Sequence, residues 1–68
     1  MRYEAHYVRN GERRLYAIIE RAWDSWVVRH GDAHSRFFDS ARDAIGSVVS
    51  ELANLLGGID GFSIEEAM

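Results

Sequence analysis

Residues 41–56 leave little choice of structure. Ala41, Ala44, Ile45, Val48, Val49, Leu52, Leu55 and Leu56 recur at steps of three and four, the spacing that lines up one stripe of an α-helix. In front of the stripe, Ser40-Ala41-Arg42-Asp43 has the form of a capping box. The Ser40 hydroxyl would accept an amide proton from the first turn, and Asp43 would reach back. Behind it, Gly57-Gly58 supplies the left-handed residue on which helices end. The pattern predicts a helix over about 41–56, roughly 24 Å long. A helix that is apolar along one side must be covered, and residues 1–40 have to do the covering.

Few other means of stabilisation are open to the chain. It has 68 residues and no cysteine. A domain of this size buries only about 60% of the surface its unfolded chain exposes, and disulfides cannot make up the difference. The missing thiols also exclude thiolate metal sites and thiol nucleophiles, and they suit a reducing compartment. At 47% apolar content, the chain is too hydrophobic for intrinsic disorder. No run approaches the roughly 20 apolar residues of a membrane span, and Met1-Arg2-Tyr3-Glu4-Ala5-His6 lacks the apolar core of a signal peptide. A cytoplasmic protein with no membrane partner is expected.

Two readings compete over residues 1–40. In the first, Arg2 to Val8 alternates as a strand, with Tyr3, Ala5 and Tyr7 on one face. Asn10-Gly11 is a hairpin turn, because both residue types tolerate positive φ. Leu15 to Ile19 returns, Asp24-Ser25 turns the chain, and Trp26 to Arg29 is a third strand. Gly31-Asp32 turns it again into Ser35 to Phe38. In the second reading, Leu15, Ile18, Ile19, Ala22, Trp23, Trp26 and Val27 form another helical stripe. The protein is then an all-α hairpin with helices over about 12–30 and 33–56.

The strand reading is preferred. Asn10-Gly11 is turn chemistry with a mechanism, and Ile18-Ile19 and Val27-Val28 are stiff at χ1 and fit a pleated surface. The fold expected is α+β: an antiparallel meander of three to four strands packed on one helix from the C-terminal half. The core should hold Tyr7, Leu15, Ile19, Trp26, Val28, Phe38, Ala44, Ile45, Val48, Val49, Leu52 and Leu56. Residues 1–56 would form the compact domain and 57–68 a short tail, either a frayed end packing one or two side chains on the core or a strand that docks on a sheet edge or another subunit. The stretch from Trp26 to Ile45 resembles, in general style, small bacterial and phage proteins in which a meander leads into a helix opening with Phe-Asp-Ser. That resemblance implies a fold and names no activity.

Catalytic constellations are not visible. His30-Gly31-Asp32-Ala33-His34 gathers two imidazoles and a carboxylate, but a zinc site wants three or four ligands with a second shell. Glu65-Glu66 and Asp39 with Asp43 fit a solvated end and a helix start. No glycine-rich phosphate loop and no nucleophile elbow occurs. Neither enzyme activity nor a cofactor is expected.

Binding is better supported. Residues 1–42 hold all eight arginines against six acids, and residues 43–68 hold Asp43, Glu51, Asp60, Glu65 and Glu66 with no base. Such asymmetry hints at a partner. Gly46, Ser50, Ala53 and Gly57 make a strip of small residues beside the helical stripe. Gly46 costs about 1 kcal/mol there relative to Ala, so a close contact would justify it. With Glu51 and the apolar tail residues Ile59, Phe62 and Ile64, this strip is the expected partner-binding surface.

The leading expectation is a non-enzymatic protein-binding module, a small regulator or inhibitor of a larger assembly. In length alone it resembles inhibitors carried by phages and other mobile elements, anti-CRISPR proteins among them. One alternative is a nucleic-acid-binding face made of Arg9, Arg13, Arg14, Arg21, Arg29 and Arg36 interleaved with aromatics. The other is a structural subunit that assembles with itself. Open sheet edges make a homodimer the expected state of the free protein.

Overall fold

The computed structural model describes residues 1–31 and 35–67. Asp32 and His34, part of the histidine cluster considered above, lie outside the described residues. The elements follow the order β1 (Arg2–Arg9), β2 (Glu12–Ala22), β3 (Ser25–Arg29), β4 (Arg36–Phe38), α1 (Ala41–Asn54) and β5 (Gly61–Ala67). All strands pair antiparallel in one sheet of order β4-β3-β2-β1-β5. The α+β architecture holds, with five strands in place of three or four. The additional strand is the segment expected as a tail. Gly61–Ala67 pairs with β1 along its whole length, because β1 otherwise has one side unpaired.

Helix α1 starts where its cap requires. Ser40 is extended, and its hydroxyl accepts from the Asp43 amide at 3.1 Å. The other end differs from expectation. The helix stops at Asn54, with Leu55 still in the right-handed region. Amides of Leu55 and Leu56 bond back to Leu52 and Ala53, a tightened last turn that satisfies carbonyls without a left-handed glycine. Leu56 therefore falls past the helix and is 51% exposed, not core.

The core lies between α1 and one face of the sheet. Ala5, Ala17, Ile19 and Val28 meet Ala44, Val48 and Leu52, with Ile59 closing one end. Tyr3, Tyr7, Tyr16, Trp26, Phe38, Ile45, Phe62 and Ile64 pack around them. Val49, also expected in the core, is half-buried and outside this cluster.

One irregularity decides which side chains reach this core. β1 and β2 pair Ala5 with Ala17 but His6 with Leu15, so Tyr16 has no counterpart. An extra residue of this kind interrupts strict alternation. Tyr16 and Ala17 both turn toward the helix, and Leu15 goes to the other face, 51% exposed. Leu15 is thus another expected core residue that is not one.

Candidate interaction surfaces

The two hairpin tips differ in chemistry. Asn10 (φ 54) and Gly11 (φ 81) connect β1 to β2, both with the positive φ of a type I′ turn, where these residues are at ease. The β2–β3 tip is Trp23-Asp24, one residue earlier than expected. Trp23 sits at φ 62, a conformation that costs a bulky residue roughly 1–3 kcal/mol. Its side chain recovers nothing from the fold, being 94% exposed. Arg21 holds the turn by donating from Nε to the Trp23 carbonyl at 3.3 Å.

Among the described residues, no element packs over the sheet face away from α1. Phe37 on β4 stands opposite Val27 on β3. Phe37 is 68% exposed, whereas Val27 is buried although it belongs to no part of the helix-facing core. Ile18 and Leu15 continue the apolar area along β2. Charges flank it: Arg29 pairs with Glu20, and Arg13 reaches across β1 to Glu65. His6 lies among the latter group, 3.3 Å from Arg13 Nη2 and 3.8 Å from Glu4 Oε1. Ser63 Oγ donates to Glu65 at 3.2 Å. The Arg13 guanidinium, by hydrogen bond and by charge, and then the Ser63 hydroxyl hold the Glu65 carboxyl below the usual carboxylate range.

A second polar group sits between sheet and helix. Tyr16 donates its hydroxyl to Glu51 Oε1 at 2.9 Å, and Arg36 Nη1 meets Glu51 Oε2 at 2.6 Å. His30 packs edge-on against Tyr16, with ring centroids 4.9 Å apart, and its Nε2 is 3.3 Å from Arg36 Nη2. Burial, then the hydrogen bond and charge of Glu51, push the Tyr16 hydroxyl up to about 12. The bulge is what turns Tyr16 toward Glu51. The arrangement anchors α1 to the sheet. Among the described residues, no group of three or more His, Asp or Glu side chains is placed to hold a metal ion.

The expected partner-binding residues do not form one surface. Gly46, Ser50, Ala53 and Gly57 are exposed, and a Cβ at Gly46 or Gly57 would meet nothing. Glu51, by contrast, is engaged by Tyr16 and Arg36. Ile59 is buried, and Phe62 and Ile64 pack on the core, because their segment is a strand and the turn before it.

The six arginines are divided too. By strand register, Arg13 and Arg29 leave the open face, whereas Arg9, Arg14, Arg21 and Arg36 leave the helix side. Arg13, Arg14, Arg29 and Arg36 each pair with a carboxylate, and Arg9 Nε donates to the Gly58 carbonyl. Tyr3, Tyr7, Tyr16 and Trp26 pack against the core under the helix. The charge asymmetry along the chain is thereby partly cancelled in space, since Arg13 and Arg36 meet Glu65 and Glu51.

The exposure of Trp23, which the sequence offers as part of the alternative helical stripe, was not foreseen. A signal was available in register. If Ile19 faces Val28 across the hairpin, as it does, the tip must fall midway, between Trp23 and Asp24. Compared with family models, curated proteins and solved structures, the chain matches none. Among the described residues, no helix is long and apolar enough to cross a membrane.

Proposed function

We propose that the protein works by binding another protein, as a small cytoplasmic regulator or inhibitor of a larger assembly, and that Trp23 is its anchor. The exposure of Trp23 carries this reading. A tryptophan at 94% exposure on a positive-φ turn position is a standing cost to the free protein, and the exposed side chain gains no burial in return. Tryptophan and arginine are the side chains over-represented where binding energy concentrates, and Arg21 lies beside Trp23 with its guanidinium exposed. The uncovered area around Phe37 and Leu15 would add contact at the periphery.

The test is the substitution Trp23→Gly. Glycine favours the φ that tryptophan resists, so the variant should be as stable as the wild type or up to about 1 kcal/mol more stable. Tagged wild-type and variant proteins would be used to capture partners from nuclease-treated host lysate. The expected result is one stoichiometric protein held by the wild type and lost by the variant. A variant that melts lower would show a structural role for Trp23, and one that keeps the partner would remove Trp23 as anchor.

A further inference from the structure

The sheet has two open edges, and they are not equally protected. β4 is three residues long. β5 is seven residues long and pairs with β1 without a register shift. Natural edges are blunted by shortness, bulges, proline or charge. β5 has neither proline nor bulge, and its charges are Glu65 and Glu66. One of these is already neutralised from within the sheet, because Arg13 reaches Glu65 across β1. Among the described residues, that leaves Glu66 as the edge's one acid without an ion-pair partner.

We infer that β5 pairs antiparallel with β5 of a second copy, about a two-fold axis passing at Ile64. A two-fold perpendicular to the sheet sets opposite one another only residues that leave the same face, so one strand can be its own partner only with a residue on the axis. Centring on Glu65 or Glu66 sets identical carboxylates against each other. Centring on Ser63 places Asp60 opposite Glu66. Centring on Ile64 pairs the whole of Gly61–Ala67, with Ile64 on itself, Phe62 opposite Glu66 and Ser63 opposite Glu65. Ser63 already donates a hydrogen bond to Glu65 of its own strand, and in this register it also faces the partner subunit's Glu65. The product is one continuous sheet with both helices on the same side, and the half-buried Phe62 and Ile64 become more deeply covered. The inference does not rest on the Trp23 reading. The β2–β3 tip lies on other strands, separated from β5 by β1, so either can fail alone.

Sedimentation velocity of the intact chain, from low concentration up to about 1 mM, tests it. The mass should move from monomer toward dimer. Ser63 is exposed, so its charge can be changed without touching the core. Ser63→Glu should weaken the dimer roughly tenfold by opposing acids at two symmetric places, and Ser63→Arg should strengthen it. The chain has no cysteine, so Ile64→Cys introduces a single thiol, which should cross-link to its own copy under mild oxidation. Ser63→Cys and Ala67→Cys should not. A monomer throughout the range would overturn the proposal and leave the edge to a strand from a different protein. A dimer indifferent to both Ser63 substitutions, or one cross-linked at Ser63 or Ala67 in preference to Ile64, would overturn it equally.

Discussion

Leu52 and Leu15 are the same side chain in two situations. Leu52, on α1, is fully buried against the sheet, and Leu15, on β2, is 51% exposed on the face that no helix covers. The difference comes from Tyr16, the unpaired residue next to Leu15. It turns the strand over, so that residues before it and after it obey opposite alternation. A covered face and an open face are therefore assigned by register, not by the hydrophobicity of a residue.

The largest effect should come from contrasting the two leucines directly. Leu52→Ala should cost about 2–5 kcal/mol in denaturant unfolding, and Leu15→Ala no more than about 0.5 kcal/mol. Comparable losses at both positions would mean that the open face is covered in solution, for instance by a second copy.

Next in size is the contact that the bulge makes available. Tyr16→Phe removes the hydroxyl bonded to Glu51 and should cost about 1 kcal/mol near neutral pH. It should also change the alkaline behaviour. The Tyr16 hydroxyl titrates near 12 when folded and at its ordinary value of 10.0 when unfolded. Above pH 10 the unfolded chain therefore releases this proton first. The stabilising contribution is complete below pH 10 and is lost as pH rises from 10 toward 12. Urea midpoints across that window should fall more steeply for the wild type than for Tyr16→Phe.

The smallest effect belongs to the open face. Glu65 titrates below its ordinary value of 4.5, so its contribution is present above that pH and fades as pH falls through the lowered value. Because the pair with Arg13 is exposed, Glu65→Gln should lower the melting temperature only slightly, and added salt should erase the difference. A salt-resistant loss would place this pair in a drier setting than the single chain provides.

The same bulge explains what could be read from the sequence. Helix α1, strand β1 and the Asn10-Gly11 turn are local patterns, and each begins where the residues indicate. Between residues 12 and 30 the bulge shifts the alternation, so Leu15, Ile18, Ile19 and Ala22 imitate the three- and four-residue steps of a helix. That imitation is why the all-α alternative competes there. β5 was legible only as one of two options for the tail, for a different reason. Its partner is β1, with Arg2 facing Ala67, and no local pattern in Gly-Phe-Ser-Ile-Glu-Glu-Ala reports so distant a pairing. Of the candidate binding residues, Gly46, Ser50, Ala53 and Gly57 were legible as an exposed strip beside the apolar stripe. Trp23 was not, because tryptophan carries no turn signal, and Glu51 was misplaced because its role depends on Tyr16.

The pairing of β1 with β5 also bears on how the chain reaches its fold. β1 is an interior strand of the finished sheet, yet one of its two neighbours, β5, is the strand of that sheet synthesised last. Until then the nascent meander and helix carry β1 as a temporary edge, with Tyr7 and Ala5 partly uncovered beside it. Closing that edge joins residues more than 60 positions apart, a loop whose entropy must be lost before the contact returns anything. The last strand thus acts as a latch on the sheet, and the interval before it closes is when the chain is most open to capture by another strand.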